Sequence, residues 1–470
     1  MDKNNYYSNH DVCFLARILL EAETPIKIGS GKDSVKTDAI ILRDVNGLPC
    51  IPGATLMGLM RHALGEDTLT ANRIMGFQSK KTNDGHGSWL SVSEAKVVGK
   101  GNVPVDGLQP SLVEKDEYLS GLMDMPIRQH VRIGHKGVAE KAGKFDEEVI
   151  PKGVRFCFEM ELLADGEQGE RDFLNLLDAL QDDTFRIGGG SRKGFGKMRV
   201  EEKACRLDFN DTDQFQIYLD KPSALNDLWD GWEKYSLNIP KLQQKEGIVE
   251  YTLDLYPCDF MLFSAGLQDT VHNIDKTVIR EKSVQWSSDQ TPQWVEEGKT
   301  IVVSASSVKG AIVHRTAFYY NLGKGVFADR KTPDEAEQAG RNNEAVTTLF
   351  GSAGDDKGKG KRRGRVLFSD IVETADEEEH VKGKVFNHVR IDRFTGGAVN
   401  GALFDEAPLY AKGHRIVLHI TLTDAGHIGK DVRESFEHAL NDICSGLLPL
   451  GSGVNRGNGM FTGELKTEEK

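Results

Sequence analysis

The chain has 470 residues, too many for one ordinary hydrophobic core, so its length points to two domains. Hydrophobic content of 39% beside 28% charged residues suits a soluble globular chain, and no run of about 18 apolar residues exists to span a membrane. The net charge of −13 excludes a protein that coats nucleic acid indiscriminately, but not a local basic groove, because phosphate responds to charge within a Debye length.

In chain order, "MDKNNYYSNHD" is polar and lacks the apolar core of a secretory leader. The six cysteines (Cys13, Cys50, Cys157, Cys205, Cys258, Cys444) are scattered with no CxxC pair, which predicts reduced thiols, a cytoplasmic location and no structural zinc. "VCFLARILLEA" alternates as a strand does; a glycine-rich loop follows, and Asp38 leads into a second strand. "IPGATLMGLMRHAL" (51–64) reads as a small-residue turn entering an amphipathic helix that carries Arg61. Residues 99–126 fit neither period and read as an insertion. A basic stretch follows, with Arg128, Arg132, Lys136, Lys141 and Lys144 around His130 and His135, and then the strand "RFCFEMELL". "GGGSRKGFGK" (188–197) sets three glycines beside Arg192, Lys193 and Lys197. By itself it is either a solvated hairpin or a cradle for a phosphodiester chain. "PSALNDLWDGWEKYSL" reads as a connecting helix with Trp229 and Trp232 on one face.

The same order then repeats. "YTLDLYPCDFMLFSAGLQDTVHNIDKTVIRE" returns a strand, a loop and Asp275 before another strand. "VSASSVKGAIVHRTAF" (303–318) matches the first helix, although Ser304 and Ala305 replace Pro52 and Gly53. The polar stretch 319–346 reads as a helical insertion. "LFGSAGDDKGKGKRRGRVLFSDIVE" matches 75–98, and its cluster from Lys357 to Arg365 is either extra phosphate grip or a solvated hairpin. "HVRIDRFTGGAVNGALFDEAPLYAKGHRIVLHITL" matches 130–162, and "LGSGVNRGNGMFTG" matches 187–200. Matched blocks in one order predict two homologous domains, 10–205 and 248–466, joined by a connector at 206–247. Strand–helix–strands–helix–strand in each copy describes an α+β, ferredoxin-like or RRM-like unit.

The series "KIGSG…TDAIILRD…LPCIPGATLMGLMR", "LFG…GRVLFSD" and "VRIDRFTGGAVNGALFD", with both glycine loops, resembles the RAMP superfamily. Within it, the chain is similar to the repeating backbone subunits of Csm-type and Cmr-type type III CRISPR effector complexes. The resemblance implies two tandem RAMP domains with thumb hairpins, from about 127–148 and 387–407, that insert between nucleotides of a bound CRISPR RNA. It implies target-RNA cleavage by a loop aspartate with Mg²⁺ or Mn²⁺. The matching positions are Asp38 and Asp275, with Asp33 and Asp269 as local competitors.

RNA-contacting positions carried over are Gly188, Gly189, Gly190, Ser191, Arg192 and Lys193, and in the second copy Gly451, Ser452, Gly453, Asn455 and Arg456. Arg61, His130, Arg132, His388 and Arg390 join them; the histidines suit either acid–base work or contact with RNA. Implied partners are CRISPR RNA, target RNA, other RAMP backbone subunits, and the large and small subunits of the complex. Cleavage of this kind needs no protein nucleophile, because a flipped nucleotide can present its own 2′-hydroxyl in line with the adjacent phosphate. Two other readings stay open: a non-catalytic guide-RNA scaffold, and an endoribonuclease that processes precursor CRISPR RNA. A nucleotide-binding metabolic enzyme is disfavoured, since its glycine loop should enter a helix rather than a strand.

Overall fold

A computed structural model describes residues 6–470 except 33, 36, 66–67, 80–83, 135–136, 241–245, 267–268, 270–272, 328, 330, 333–334, 336–338, 341, 353, 355–359 and 375–380. The alternating opening segment forms β1 (Val12–Ala22). It is followed by α1 (Gly53–Leu64), β2 (Leu90–Val92), β3 (Ile127–Ile133), β4 (Ala139–Glu148), β5 (Arg155–Ala164), α2 (Gly166–Gln181) and β6 (Met198–Asp208). The sheet order is β2-β5-β1-β6, with antiparallel neighbours throughout. Phe14, Ile18 and Leu20 of β1 point to a core shared with Leu56 and Met60 of α1 and Phe173, Leu176 and Leu177 of α2.

The second copy runs β7 (Val249–Pro257), β8 (Ser283–Trp286), β9 (Pro292–Val295), α3 (Ala305–Gly323), β10 (Val366–Phe368), β11 (Phe386–Ile391), β12 (Ala398–Ala407), β13 (Ile416–Leu422), α4 (Lys430–Cys444) and β14 (Phe461–Glu469). Its main sheet, β10-β13-β7-β14, has the order of the first. Both copies are therefore α+β units of ferredoxin-like path, with two helices on one sheet face. Each also sends out a hairpin, β3–β4 or β11–β12, outside its main sheet. Both hairpins carry a register shift at the same place, between Val131 and Ile133 and between Val389 and Ile391.

The two β-sheets differ on their outer faces. Tyr251, Leu253 and Leu255 of β7 are fully buried on the helix side, as alternation demands. In β1 the other face is buried too: Cys13 and Leu15 pack with Cys205, Leu207 and Trp232 of the connector. That connector is not one helix. Residues Thr212–Leu219 are helical, as is the single turn Gly231–Lys234, and Trp229 precedes that turn. Trp229 still meets Trp232 edge to face at 5.2 Å, because its indole N–H is anchored on the Ile217 carbonyl at 3.1 Å.

The 99–126 insertion receives the second copy. It includes the short helix Glu117–Gly121, whose Tyr118 lies against Trp286 and Trp294 of the β8–β9 hairpin, at 5.9 and 5.7 Å between rings. Val284 N–H donates to the Lys152 carbonyl at 2.8 Å, and a Cβ at Gly153 would collide with the Val284 carbonyl. At the base of β3 the buried Arg128 bridges Glu281 and Asp370, the latter at 2.6 Å. Asp370 also accepts from the Ala305 N–H that opens α3, at 2.8 Å. The copies are thus joined by apolar packing and by one dry ionic cluster. Among the described residues, no helix is long and apolar enough to cross a membrane.

Candidate nucleic-acid interface

Asp38 and Asp275, chosen from the repeat, occupy equivalent places. Each is exposed, in the loop that runs alongside the second strand of its own hairpin. Asp146 N–H donates to Asp38 Oδ2 at 3.0 Å, and Asp38 N–H donates back to Asp146 Oδ1 at 2.8 Å. In the second copy Asp405 N–H donates to Asp275 Oδ2 at 3.0 Å. The Asp38 N–H, with help from Thr37 and Gln129, holds the Asp146 carboxyl below its ordinary value. The competitor Asp33 lies outside the described residues, and Asp269 instead pairs its backbone with Ile274 across the loop.

Behind each aspartate pair stands a third carboxylate that sequence reasoning did not single out. Glu147 and Glu406 are each 2% exposed, one residue beyond Asp146 and Asp405. His130 Nε2 lies 2.9 Å from Glu147, and His388 Nε2 lies 3.1 Å from Glu406. Lys27 completes the first cluster and Arg456 the second. Burial alone would raise the Glu147 carboxyl, but His130 and Lys27 outweigh it and hold it at about 2. Glu406 is lowered too: burial opposes, while Arg456 and His388 prevail. Each histidine is stacked on a hairpin phenylalanine, Phe145 or Phe404, with 4.9 Å between rings in both. Each ring is thus held between its glutamate and its phenylalanine. A repeated signal was available, "FDEE" at 145–148 and "FDEA" at 404–407.

One amide in each glycine loop is turned back onto the chain itself rather than left open. Gly189 N–H donates to the Lys27 carbonyl at 2.8 Å, and Ser452 N–H to the Leu262 carbonyl at 2.7 Å. Gly188 (φ +85°) and Gly451 (φ +93°) are left-handed and press on those same carbonyls, where a Cβ would not fit. The glycines let the loop approach its own chain rather than a ligand. What the loops present is their cations. Lys193 stands over the Phe145 ring at 4.5 Å and its counterpart Arg456 over Phe404 at 5.4 Å. Arg192, by contrast, turns to the other copy and donates from Nε to the Gly364 carbonyl at 2.9 Å. Ser191 and Gly190 lie partly buried in the first loop, and Gly453 partly buried in the second, whose Asn455 is exposed.

The structure adds Lys309 on α3, brought up to the Arg192–Lys193 loop across the domain junction. Burial, then repulsion from Arg192 and Lys193, pulls its amino group down to about 8. Crowding three cations from two copies is unfavourable unless an anion joins them. Arg132 and Arg390 are exposed at matching hairpin positions. Arg61 is not part of this surface: its guanidinium is committed to the Gly76 carbonyl at 2.9 Å and to Asn72 at 2.7 Å, tying α1 to the next helix. His135 lies outside the described residues.

The RAMP superfamily model matches residues 19–199 and 287–462, most of both copies. A relative from Methanocaldococcus jannaschii, named CRISPR system Cms endoribonuclease Csm3, is 26% identical over 211 residues, covering 39% of this chain and 77% of that protein. Two sheets of one strand order, each with a hairpin, a loop aspartate and a closing glycine loop, agree with those matches. The chain belongs to the RAMP superfamily and carries the family's domain twice.

Proposed function

We propose that the protein is a CRISPR-RNA-binding backbone subunit of a type III effector complex, and that it cleaves guide-paired target RNA at Asp38 and Asp275. The observation that carries this is the recurrence, in both copies, of an exposed loop aspartate tethered to the hairpin beside a cation–phenylalanine–histidine–glutamate cluster. The relative's name, which describes a CRISPR endoribonuclease, supports it.

Lys193, Lys309, Arg132 and Arg456 supply charge for the guide's phosphates, which fixes register without reading bases. Sequence is left to base pairing. The hairpins act as thumbs that part neighbouring nucleotides, and Phe394, almost wholly exposed on the β11–β12 turn, is the apolar wedge of the second. Unstacking frees a 2′-hydroxyl to align with the next phosphate, a geometry that a regular A-form duplex denies. The aspartate's carboxylate can accept the hydroxyl proton, a contribution of about 10²–10⁴-fold.

Asp38 and Asp146 are hard oxygen donors held side by side, which fits Mg²⁺ or Mn²⁺. Among the described residues no group of three metal-ligating side chains gathers, so water and phosphate oxygens would complete the shell. Such an ion would stabilise charge developing on the phosphate.

The test is cleavage mapping on end-labelled target RNA in the assembled complex. Asp38→Ala and Asp275→Ala should each remove one cut, by about 10²-fold or more, with guide RNA retained. Full cleavage at every position in both variants would leave a scaffold, with the two carboxylates serving only to cap the hairpins.

A further inference from the structure

Between the two ferredoxin-like units, on the side of the helix ends, lies a cleft of about 620 Å³. The first copy contributes the last turn of α1 and the segment after α2, with Arg186 and Arg192. The second contributes Arg362, Arg363 and Arg365 from the strand pair that follows the helix Glu344–Phe350. These belong to the described part of the "KGKGKRRGR" run; Arg362 and Arg363 are exposed, and all three line the cleft rather than the hairpins.

Five guanidinium groups line the cleft against two carboxylates, Asp182 and Asp424, and Asp424 lies 3.8 Å from Arg365. Two of the five, Arg186 buried and Arg192 half-buried, are incompletely paired. Arg186 is only 6% exposed; its Nη1 donates to the backbone carbonyls of Asp183 and Phe185, and its Nε has no hydrogen-bond partner among the described residues. Arg192 donates from Nε to Gly364, while its buried Nη1 has none. Burial, then repulsion from Arg363 and Arg186, pulls the Arg192 guanidinium down to about 10. Gathering like charges out of water is unfavourable unless a counter-anion belongs there. Planar donor forks suit a phosphate better than a spherical ion, and Thr348 adds a hydroxyl to the lining, while those of Thr184 and Thr347 already donate to Asp182 and to the Glu344 carbonyl. The volume is that of a nucleotide site.

The charge is also specific to this junction. In the first copy's equivalent strand pair, His86 faces Phe77 where, in the second, Arg362 faces Ser352. Adjacent residues of one loop therefore point to two places: Lys193 to the hairpin, Arg192 to the cleft.

We infer that the inter-domain cleft is a binding site for a nucleotide phosphate, supplied by a free nucleotide or by the phosphorylated end of an RNA strand. Because both copies furnish arginines, an occupant would clamp them together. Through Arg192 the site adjoins the guide-binding cations Lys193 and Lys309, but it does not depend on the role proposed for them.

The full chain would be titrated calorimetrically with inorganic phosphate, with ATP, and with a short RNA bearing either a 5′-phosphate or a 5′-hydroxyl. The comparison is with Arg362→Ala/Arg363→Ala, whose targets are exposed and whose folding circular dichroism would check, and with Arg171→Ala on the exposed side of α2 as a charge control. The expected result is binding of ATP, or tighter binding of the 5′-phosphate RNA than of its 5′-hydroxyl twin. That binding, or that preference, should weaken at least tenfold in the double variant and hold in the control. Which probe responds identifies the source. Absence of any phosphate-dependent binding, or equal binding by the double variant and wild type, would overturn the assignment. The 5′-hydroxyl RNA reports the guide groove separately, so failure of one site is not mistaken for failure of the other.

Discussion

At the scale of single residues, Lys309 makes the clearest demand. Its amino group lies near 8 before ligand arrives. A phosphate beside it favours the charged form and raises that value, so RNA binding takes up a proton wherever the free group has lost one. Guide affinity should be full below about pH 8 and decline as pH rises above it, until the bound group also titrates. Filter binding across pH 7–9.5 would show this, and Lys309→Arg should flatten the decline. Residues of this kind divide sharply in how far sequence revealed them. The equivalence of Asp38 and Asp275 was legible because repetition marks a position without needing its surroundings. The internal approach of Gly188 was hidden because sequence shows that a backbone comes close to something, but not that this something is the chain's own Lys27 carbonyl. Glu147 and Glu406 were passed over because a carboxylate in a polar hairpin looks solvated until its neighbours close over it.

Among elements, the hairpin β3–β4 differs from β11–β12 in how it is seated. Arg128, at its base, is buried against Glu281 and Asp370, and Phe386 occupies the matching place in the second hairpin. Removing one member of a buried ionic cluster strands the others, at a cost of about 3–5 kcal/mol. Arg128→Met should therefore lower the thermal midpoint, and adding Glu281→Gln with Asp370→Asn should recover much of the loss. The glycine loops yield a paired prediction. A Cβ at Gly194 (φ +114°) would run into Asp370 and Ala305 of the other copy, whereas at Gly457 (φ +95°) it would meet nothing within 4 Å. Gly457→Ala should cost about 1 kcal/mol from backbone strain alone, and Gly194→Ala distinctly more, as read by denaturant unfolding. Long elements such as β1 and β5 were plain in the sequence, since each is an apolar run of ten or more residues that alternates over its second half. The connector was not. Its two tryptophans sit at helical spacing, yet an indole bonded to Ile217 and packing on the sheet decide the local path.

At the scale of the whole molecule, duplication was legible and docking was not. Two cores can be counted from repeated blocks, but the partner of Tyr118 is a hairpin more than 160 residues away, and no local pattern announces it. With Val284 inside the first copy's core cluster and Arg128 held by the second copy, the halves should unfold together. A single calorimetric transition is expected for the full chain, and Arg128→Met should begin to split it in two.

The contact between copies pairs unlike surfaces. Gly194 of one meets the start of the helix in the other, while Gly457 faces outward. Such an arrangement has no two-fold axis to close on itself, so the molecule possesses a leading end and a trailing end. A further module added by the same rule would lengthen a row in one sense only, and a linear strand lying along it would be read with a fixed polarity.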